Sequence, residues 1–333
     1  MMIKKFLLIT LILISFAGIN SFKVKLNKPL SPFFSSLLPD SLIIPGKNIP
    51  VAIIGDLQRT TVWELMIGRE QNDVERKKMI KNIAMEKPGA LILLGDMVSN
   101  GADINTWFYL KNMLKPVSNE NIPIIPVLGN HEYWGNDSTA LYNAGQVFPV
   151  FQKTHWYSVT YGYIVFIILD SNRDNLTGYE WSIQREWFEN KLKYYDSDSS
   201  VKGIIVCVHH PPYSNSIVTG DNIYVKDAFV EPFLNSKKTM AMISGHAHTY
   251  ERFSEKGKMF IVSGGGGGPR VLLKTGFNTH KDLVNLPPPR PFNYLLLYPE
   301  SKEIKIIARG LNKGSSQFYT IDNFSIPFYN CIK

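Results

Sequence analysis

His246 and His248 stand two positions apart in the stretch Ser244-Gly245-His246-Ala247-His248-Thr249-Tyr250-Glu251-Arg252, directly after the apolar run 240–243. Alternate residues of an extended chain point the same way, so both imidazoles can face one site. Neutral imidazole is a common ligand for transition metals. A His-x-His pair alone is more often packing than a metal site, but four other apolar runs end the same way, at Gly55-Asp56, Gly95-Asp96, Gly129-Asn130-His131 and His209-His210. Asp56, Asp96, Asn130, His209, His246 and His248 together offer carboxylate, amide and imidazole donors, a mixture that suits Mn, Fe or Zn better than a thiolate set does. Six donors exceed what one tetrahedral ion takes, so two divalent ions sharing a carboxylate are the economical solution. Such a pair attracts a phosphate dianion, brings a bridging water toward a pKa of about 7 and supports in-line attack at phosphorus by the hydroxide. His131, next to a donor, would then be free to protonate the leaving oxygen. Taken one at a time, Asp56, Asp96 and Asn130 read as well as caps or turn residues.

The elements that must hold these residues emerge from patterning. Residues 50–54, 90–94, 124–128, 203–208 and 240–243 are continuous apolar runs, the pattern of strands buried on both faces. Between them, 69–87 (with Val74, Met79, Ile80 and Ile83 apolar), 104–114, 180–195 (with Trp181, Trp187, Phe188 and Leu192) and 226–235 suit helices. Alternation of strand and helix predicts right-handed βαβ units and a largely parallel sheet, with ligands gathering beyond the carboxyl ends of the strands. Residues 157–159 and 163–169 form an expected hairpin turning at 161–162, residues 259–262 another strand, and 294–298 with 303–308 a second hairpin that 317–321 would extend. The glycine run 264–268 is a tight loop, read as close packing or as amides near an anion.

Composition bounds the alternatives. The chain has 333 residues, 44% hydrophobic and 12% aromatic, enough for a packed core. Its formal charge of +8 comes from scattered lysines with no basic stripe, which speaks against nucleic acid as a main partner. Met1 to Lys5 followed by an apolar run to Ala17 has the layout of a secretory signal. Export to a periplasmic or extracellular space is expected, with a membrane tether only if that segment is retained. The domains expected are the signal over 1–20, an extended proline-bearing segment over 21–49, a catalytic domain over 50–312 and an extension over 313–333. Cys207, inside an apolar run, is expected to act as a small buried hydrophobe, and a bond to Cys331 is not expected to be needed.

The five ordered motifs, Gly55-Asp56, Gly95-Asp96, Gly129-Asn130-His131-Glu132, His209-His210-Pro211 and Gly245-His246-Ala247-His248, resemble those of the calcineurin-like metallophosphoesterases. The resemblance leans toward the purple acid phosphatase branch through 245–252 and the glycine run, and covers roughly 50–270. It implies an αββα sandwich of two mixed sheets flanked by helices, and two divalent ions of unassigned identity. It also implies that Asp96 bridges them, that Asp56 and His248 hold the first, and that Asn130, His209 and His246 hold the second. Two positions depart from the pattern: Gln58 stands where relatives carry His or Gly, and Ser99 where the purple enzymes carry a tyrosine ligand. Without that tyrosine the iron-to-tyrosine colour should be absent. Gln58 and His210 are candidates for a ligand or a pocket wall, Tyr250 and Arg252 for contacts to substrate. The expected activity is hydrolysis of phosphate esters. The competing reading, motivated by Gln58 and Ser99, is a secreted binding or scaffold protein of the same fold with little turnover.

Overall fold

The computed structural model describes residues 39–46, 48–277 and 279–329. The expected signal over 1–20, most of the segment 21–49 and Cys331 lie outside them. In chain order the strands are β1 (Ser41–Ile43), β2 (Val51–Ile54), β3 (Ala90–Leu93), β4 (Ile124–Pro126), β5 (Tyr157–Tyr161), β6 (Ile164–Ile168), β7 (Gly203–Val208), β8 (Thr239–Ser244), β9 (Tyr250–Glu255), β10 (Lys258–Ser263), β11 (Phe292–Pro299), β12 (Glu303–Leu311) and β13 (Phe318–Pro327). The helices used below are α1 (Val62–Met66), α2 (Asp73–Met85), α3 (Ile104–Met113), α4 (Lys115–Asn119), α5 (Asp137–Val147) and α6 (Gly178–Ser197). None of the described helices is long and apolar enough to cross a membrane.

Two mixed sheets stack face to face. One runs β13-β12-β11-β2-β3-β4 and the other β1-β5-β6-β7-β8-β10-β9. β2, β3 and β4 are parallel, as are β6, β7, β8 and β10. Period-two alternation divides β6 between two cores. Ile164, Phe166 and Ile168 enter the core between the sheets, while Val165 and Ile167 meet α6 and the helical stretch 223–235 on the outer face. Helices α2 to α5 add Met79, Ile83, Trp107, Val117 and Ala144 to the first core. The expected helix–sheet–sheet–helix sandwich is the architecture found.

α6 shows why a mostly polar sequence forms this helix. Thr177 and Glu180 close a capping box at its start, and Trp181, Gln184, Phe188, Leu192 and Tyr195 return to one buried face at intervals of three and four. Burying Phe188 contributes on the order of 2–3 kcal/mol. Gln184 is satisfied inside that face, its Nε2 donating to the Asp170 carbonyl at 2.8 Å and its Oε1 accepting from Asp170 N at 2.7 Å.

Several boundaries differ from the sequence reading. Val74 is exposed rather than on the buried face of α2. The first hairpin turns at Gly162, where φ is +61°, because β5 runs on through Tyr161. β13 pairs along the whole of β12, from Leu311↔Phe318 to Glu303↔Pro327, so the sheet continues past residue 312 and residues 318–327 are its edge strand. β9 continues from the His-x-His motif, and α5 lies where the patterning marks no element. Cys207 is buried in β7 with no disulfide among the described residues, and burial pushes its thiol far above the ordinary range.

Candidate metal centre

The motif turns come directly after the carboxyl ends of β2, β3, β4, β7 and β8, which lie side by side in the two facing sheets. Three of these turns need left-handed backbone at a residue bearing a side chain: Asp56 (φ 63°), Asp96 (φ 50°) and His246 (φ 63°). Such conformations cost about 1–3 kcal/mol each and persist only where surroundings over-determine them. Here they do. Asp56 N donates to the Gly95 carbonyl at 3.1 Å, and Gly268 N donates to the Asp56 carbonyl at 3.0 Å. His246 N donates to both Asp56 carboxylate oxygens at 2.9 Å.

Glu132 ties two of the turns together. Its carboxylate accepts from Asp96 N (2.8 Å), Gly129 N (2.7 Å), Met97 N (2.8 Å) and Val98 N (3.1 Å) while fully buried. The approach is close enough to require Gly129, since a Cβ there would lie 2.3 Å from Asp96 N. The glycine run is committed to packing. Gly264 N, Gly266 N and Gly268 N donate to the carbonyls of Thr249, Gly55 and Asp56, which leaves none of those three amides for an anion.

The six candidate donors converge. His209 Nε2 lies 3.3 Å from Asp96 Oδ1, 3.2 Å from Asn130 Oδ1 and 3.2 Å from His246 Nδ1. His248 Nε2 lies 3.4 Å from Asp56 Oδ1. The far nitrogens of two rings are occupied, His209 Nδ1 by the Leu94 carbonyl at 2.7 Å and His248 Nδ1 by the Pro269 carbonyl at 2.8 Å. In the neutral form of each ring, donating from Nδ1 leaves a lone pair on Nε2, aimed at other acceptors. Acceptors held this close without matching donors fit a cation or a trapped proton, and the nitrogen and oxygen donor set fits Mn, Fe or Zn. Asp56, Asp96 and His209 place ligand atoms within 4.8 Å of one another, and so do His209, His210 and His246.

The charges agree with that geometry. Burial raises the Asp56 carboxyl above its usual range, against the bond to His248. Burial acts the same way on Asp96, but the charges of His209 and His131 hold it well below. Burial opposes charge on His209, yet Asp96 and Asp56 push that ring up to about 9. His246 is driven well below its ordinary value by burial and by the neighbouring histidines, and His210 down to about 3 by burial and His209. The metal-free protein therefore keeps a proton on His209 at neutral pH. The stability this contributes is present below about 6.5 and lost as pH rises through about 9. A cation taking Nε2 must expel that proton, so its apparent affinity rises over the same window. Titrating zinc into metal-free protein at pH 7, in two buffers of different ionisation enthalpy, is expected to reveal about one proton released from His209 per ion. A heat that does not depend on the buffer would contradict it.

His131 stands at the edge of the cluster. Its Nδ1 pairs with the Ser99 carbonyl at 3.0 Å, its Nε2 lies 3.8 Å from Asp96 Oδ2, and Trp134 stacks on the ring at 3.6 Å. Ser99 thus orients the ring through its backbone carbonyl rather than its side chain. Gln58 is buried with Nε2 at 3.2 Å from Asp96 Oδ2 and 3.1 Å from His248 Nε2. His210 lies in the wall, Nδ1 bonded to Ser171 Oγ at 2.7 Å.

Tyr250 and Arg252, expected to touch substrate, do not face the cluster. Tyr250 is fully buried and donates to Asp322 at 2.9 Å, and Arg252 Nε bonds the same carboxylate at 2.7 Å. Both belong to β9, where alternation sends them the same way, and they fasten that edge to β13 of the other sheet. Tyr133 and Tyr213 are likewise engaged, with Asp170 and Glu255, whereas Trp134 stays 45% exposed beside His131. Glu132 was missed by residue-type reasoning, its only sequence signal being its place directly after Asn130-His131.

A sequence model of the calcineurin-like phosphoesterases matches residues 49–250. An uncharacterized protein of Mycobacterium tuberculosis is 25% identical over 147 residues, 39% of this chain and 28% of its own length. Among solved structures, the purple acid phosphatase from yellow lupin (Lupinus luteus) seeds superimposes with a TM-score of 0.67 at 19% identity, over 85% of this chain and 54% of that one. GAP50, the anchor in the inner membrane complex of Plasmodium, does so with a TM-score of 0.64 at 18% identity, over 85% and 90%. This chain thus spans just over a quarter of the mycobacterial relative and about half of the lupin enzyme.

Proposed function

The chain belongs to the calcineurin-like phosphoesterases, and from that premise we propose that it is an exported, metal-dependent hydrolase of phosphate esters with His131 as its general acid. The family generally binds two divalent ions. The residues that would hold them are Asp56, Asp96, Asn130, His209, His246 and His248, and when bound the ions supply positive charge for the phosphate and an activated water. One observation supports this most: carboxylate, amide and imidazole acceptors from five strand ends face one another at 3.2–3.4 Å in a largely buried cluster.

The chain's own residues do the rest. Imidazoles locked through Nδ1 present fixed lone pairs, which removes reorganisation at the moment of reaction. His131, braced by the Ser99 carbonyl and Trp134, turns Nε2 toward the cluster, where as an imidazolium it hands a proton to the leaving oxygen. Trp134 offers an exposed apolar face to the organic part of an ester. Export rests on the amino-terminal layout of residues 1–17.

The test is hydrolysis of para-nitrophenyl phosphate by purified protein. Turnover is expected to stop on chelation and return with added manganese or zinc. Asn130→Ala should loosen the metal by at least the ~10–100-fold that disturbing a supporting residue costs. Turnover indifferent to chelator and to Asn130→Ala would sink the proposal. The competing reading, a binding protein with little turnover, draws on the amide that Gln58 sets against two candidate ligands and on the shared fold with a Plasmodium anchor. Metal bound without hydrolysis of any ester would favour it.

A further inference from the structure

The two halves of the cluster are not equivalent. On one side, Asn130 Oδ1, His246 Nδ1 and Asp96 Oδ1 crowd within 3.2–3.3 Å of His209 Nε2. On the other side, Gln58 Nε2 lies 3.2 Å from Asp96 Oδ2 and 3.1 Å from His248 Nε2, whose lone pair is exposed because His248 Nδ1 serves Pro269. A primary amide carries two N–H donors, and here each has an acceptor. Gln58 Oε1 is left buried without a partner. Turning the carboxamide over would be worse, setting its oxygen against a carboxylate and a lone pair and burying two unpaired N–H groups instead of one carbonyl.

We infer that the Gln58 carboxamide stands in for a cation between Asp96 and His248, so that this chain binds one metal ion tightly, in the Asp96–Asn130–His209–His246 half, and the Asp56–His248 half only weakly. The inference rests on the proposed reading of these residues as ligands. It adds that position 58 sets the stoichiometry. A second ion must break both amide bonds before it can reach His248 and Asp96 Oδ2, a cost of the order of a ~100-fold loss in affinity. The residue two positions after Asp56 is thereby a switch between mononuclear and dinuclear forms of one scaffold.

The experiment counts metal on the full chain. Metal-free protein is titrated with zinc by calorimetry, and zinc is measured by mass spectrometry after desalting. Wild type is expected to retain one ion per chain, with a second seen only at ~100-fold higher concentration. Gln58→His, which replaces the donor amide with a ligand, should retain two, and Gln58→Ala should bring the two affinities closer. Asn130→Ala should lose the tight ion and Asp56→Asn should keep it. Two equally tight ions in wild type would overturn the inference and leave the phosphoesterase reading standing. No ion in either half would overturn both. The wild-type count needs no variant to fold, and cobalt substitution gives a second readout through the visible spectrum of a single bound ion.

Discussion

Replacing His131 by alanine is expected to lower kcat on an alkyl phosphate about 10²–10⁴-fold, the usual contribution of a positioned proton donor, while leaving metal content and thermal stability near wild type. The ring touches the cluster only at its edge, Nε2 standing 3.8 Å from Asp96 Oδ2. It is held by the Ser99 carbonyl and the Trp134 face, so its removal takes away a donor rather than a ligand. The loss should also depend on the leaving group. A nitrophenolate departs without a proton and an alkoxide does not, so the penalty should be small for para-nitrophenyl phosphate and approach the upper figure for an alkyl phosphate. Because the bond to position 99 is to backbone, Ser99→Ala should leave both rates unchanged. Measuring wild type and the two variants on both esters decides the matter. A penalty equal for both leaving groups would remove His131 from proton transfer, and one matched by loss of metal would make it structural.

The motif turns were legible because their physics is local. Runs such as 51–54 and 90–93 are apolar at every position and have no favourable place except a buried parallel strand. The residues just after such a strand lie at the carboxyl edge of the sheet, where polar groups meet. The illegible features depend on distant partners. Tyr250 and Arg252 come soon enough after the His-x-His turn to look like part of it, yet their direction is set by Asp322, some 70 positions on in another sheet. β9 has no clean alternation because both of its faces have polar work: Glu251 receives Ser214 and Asn215 while Arg252 reaches Asp322. α5 buries Ala140, Ala144 and Val147 among polar neighbours, too faint a stripe to separate from a loop. Gln58 was visible as a departure, but only geometry shows which end of its amide meets the ligands.

Glu132→Ala is expected to produce the largest stability loss of any single change around the cluster, about 3–5 kcal/mol. Four backbone N–H groups converge on this one carboxylate, and each buried donor stripped of its acceptor costs about 1–3 kcal/mol before relaxation. At roughly 2–4 °C per kcal/mol for a chain near this size, the melting temperature should fall by about 10 °C. Two of those donors, Asp96 N and Met97 N, shape the left-handed turn at Asp96, so the same change should also release that carboxylate from its register and weaken the metal. Glu132→Gln separates charge from shape. Its single carbonyl can keep one pair of amides, but its NH₂ then points donors at the other pair, so recovery should be partial at best. A conventional buried side chain, held by packing alone, would tolerate the near-isosteric glutamine with a loss below about 1.5 kcal/mol. Thermal unfolding of both variants with and without zinc, beside zinc content after desalting, distinguishes the cases, and a glutamine variant as stable and as metal-replete as wild type would show that the turns at 96 and 129 hold themselves.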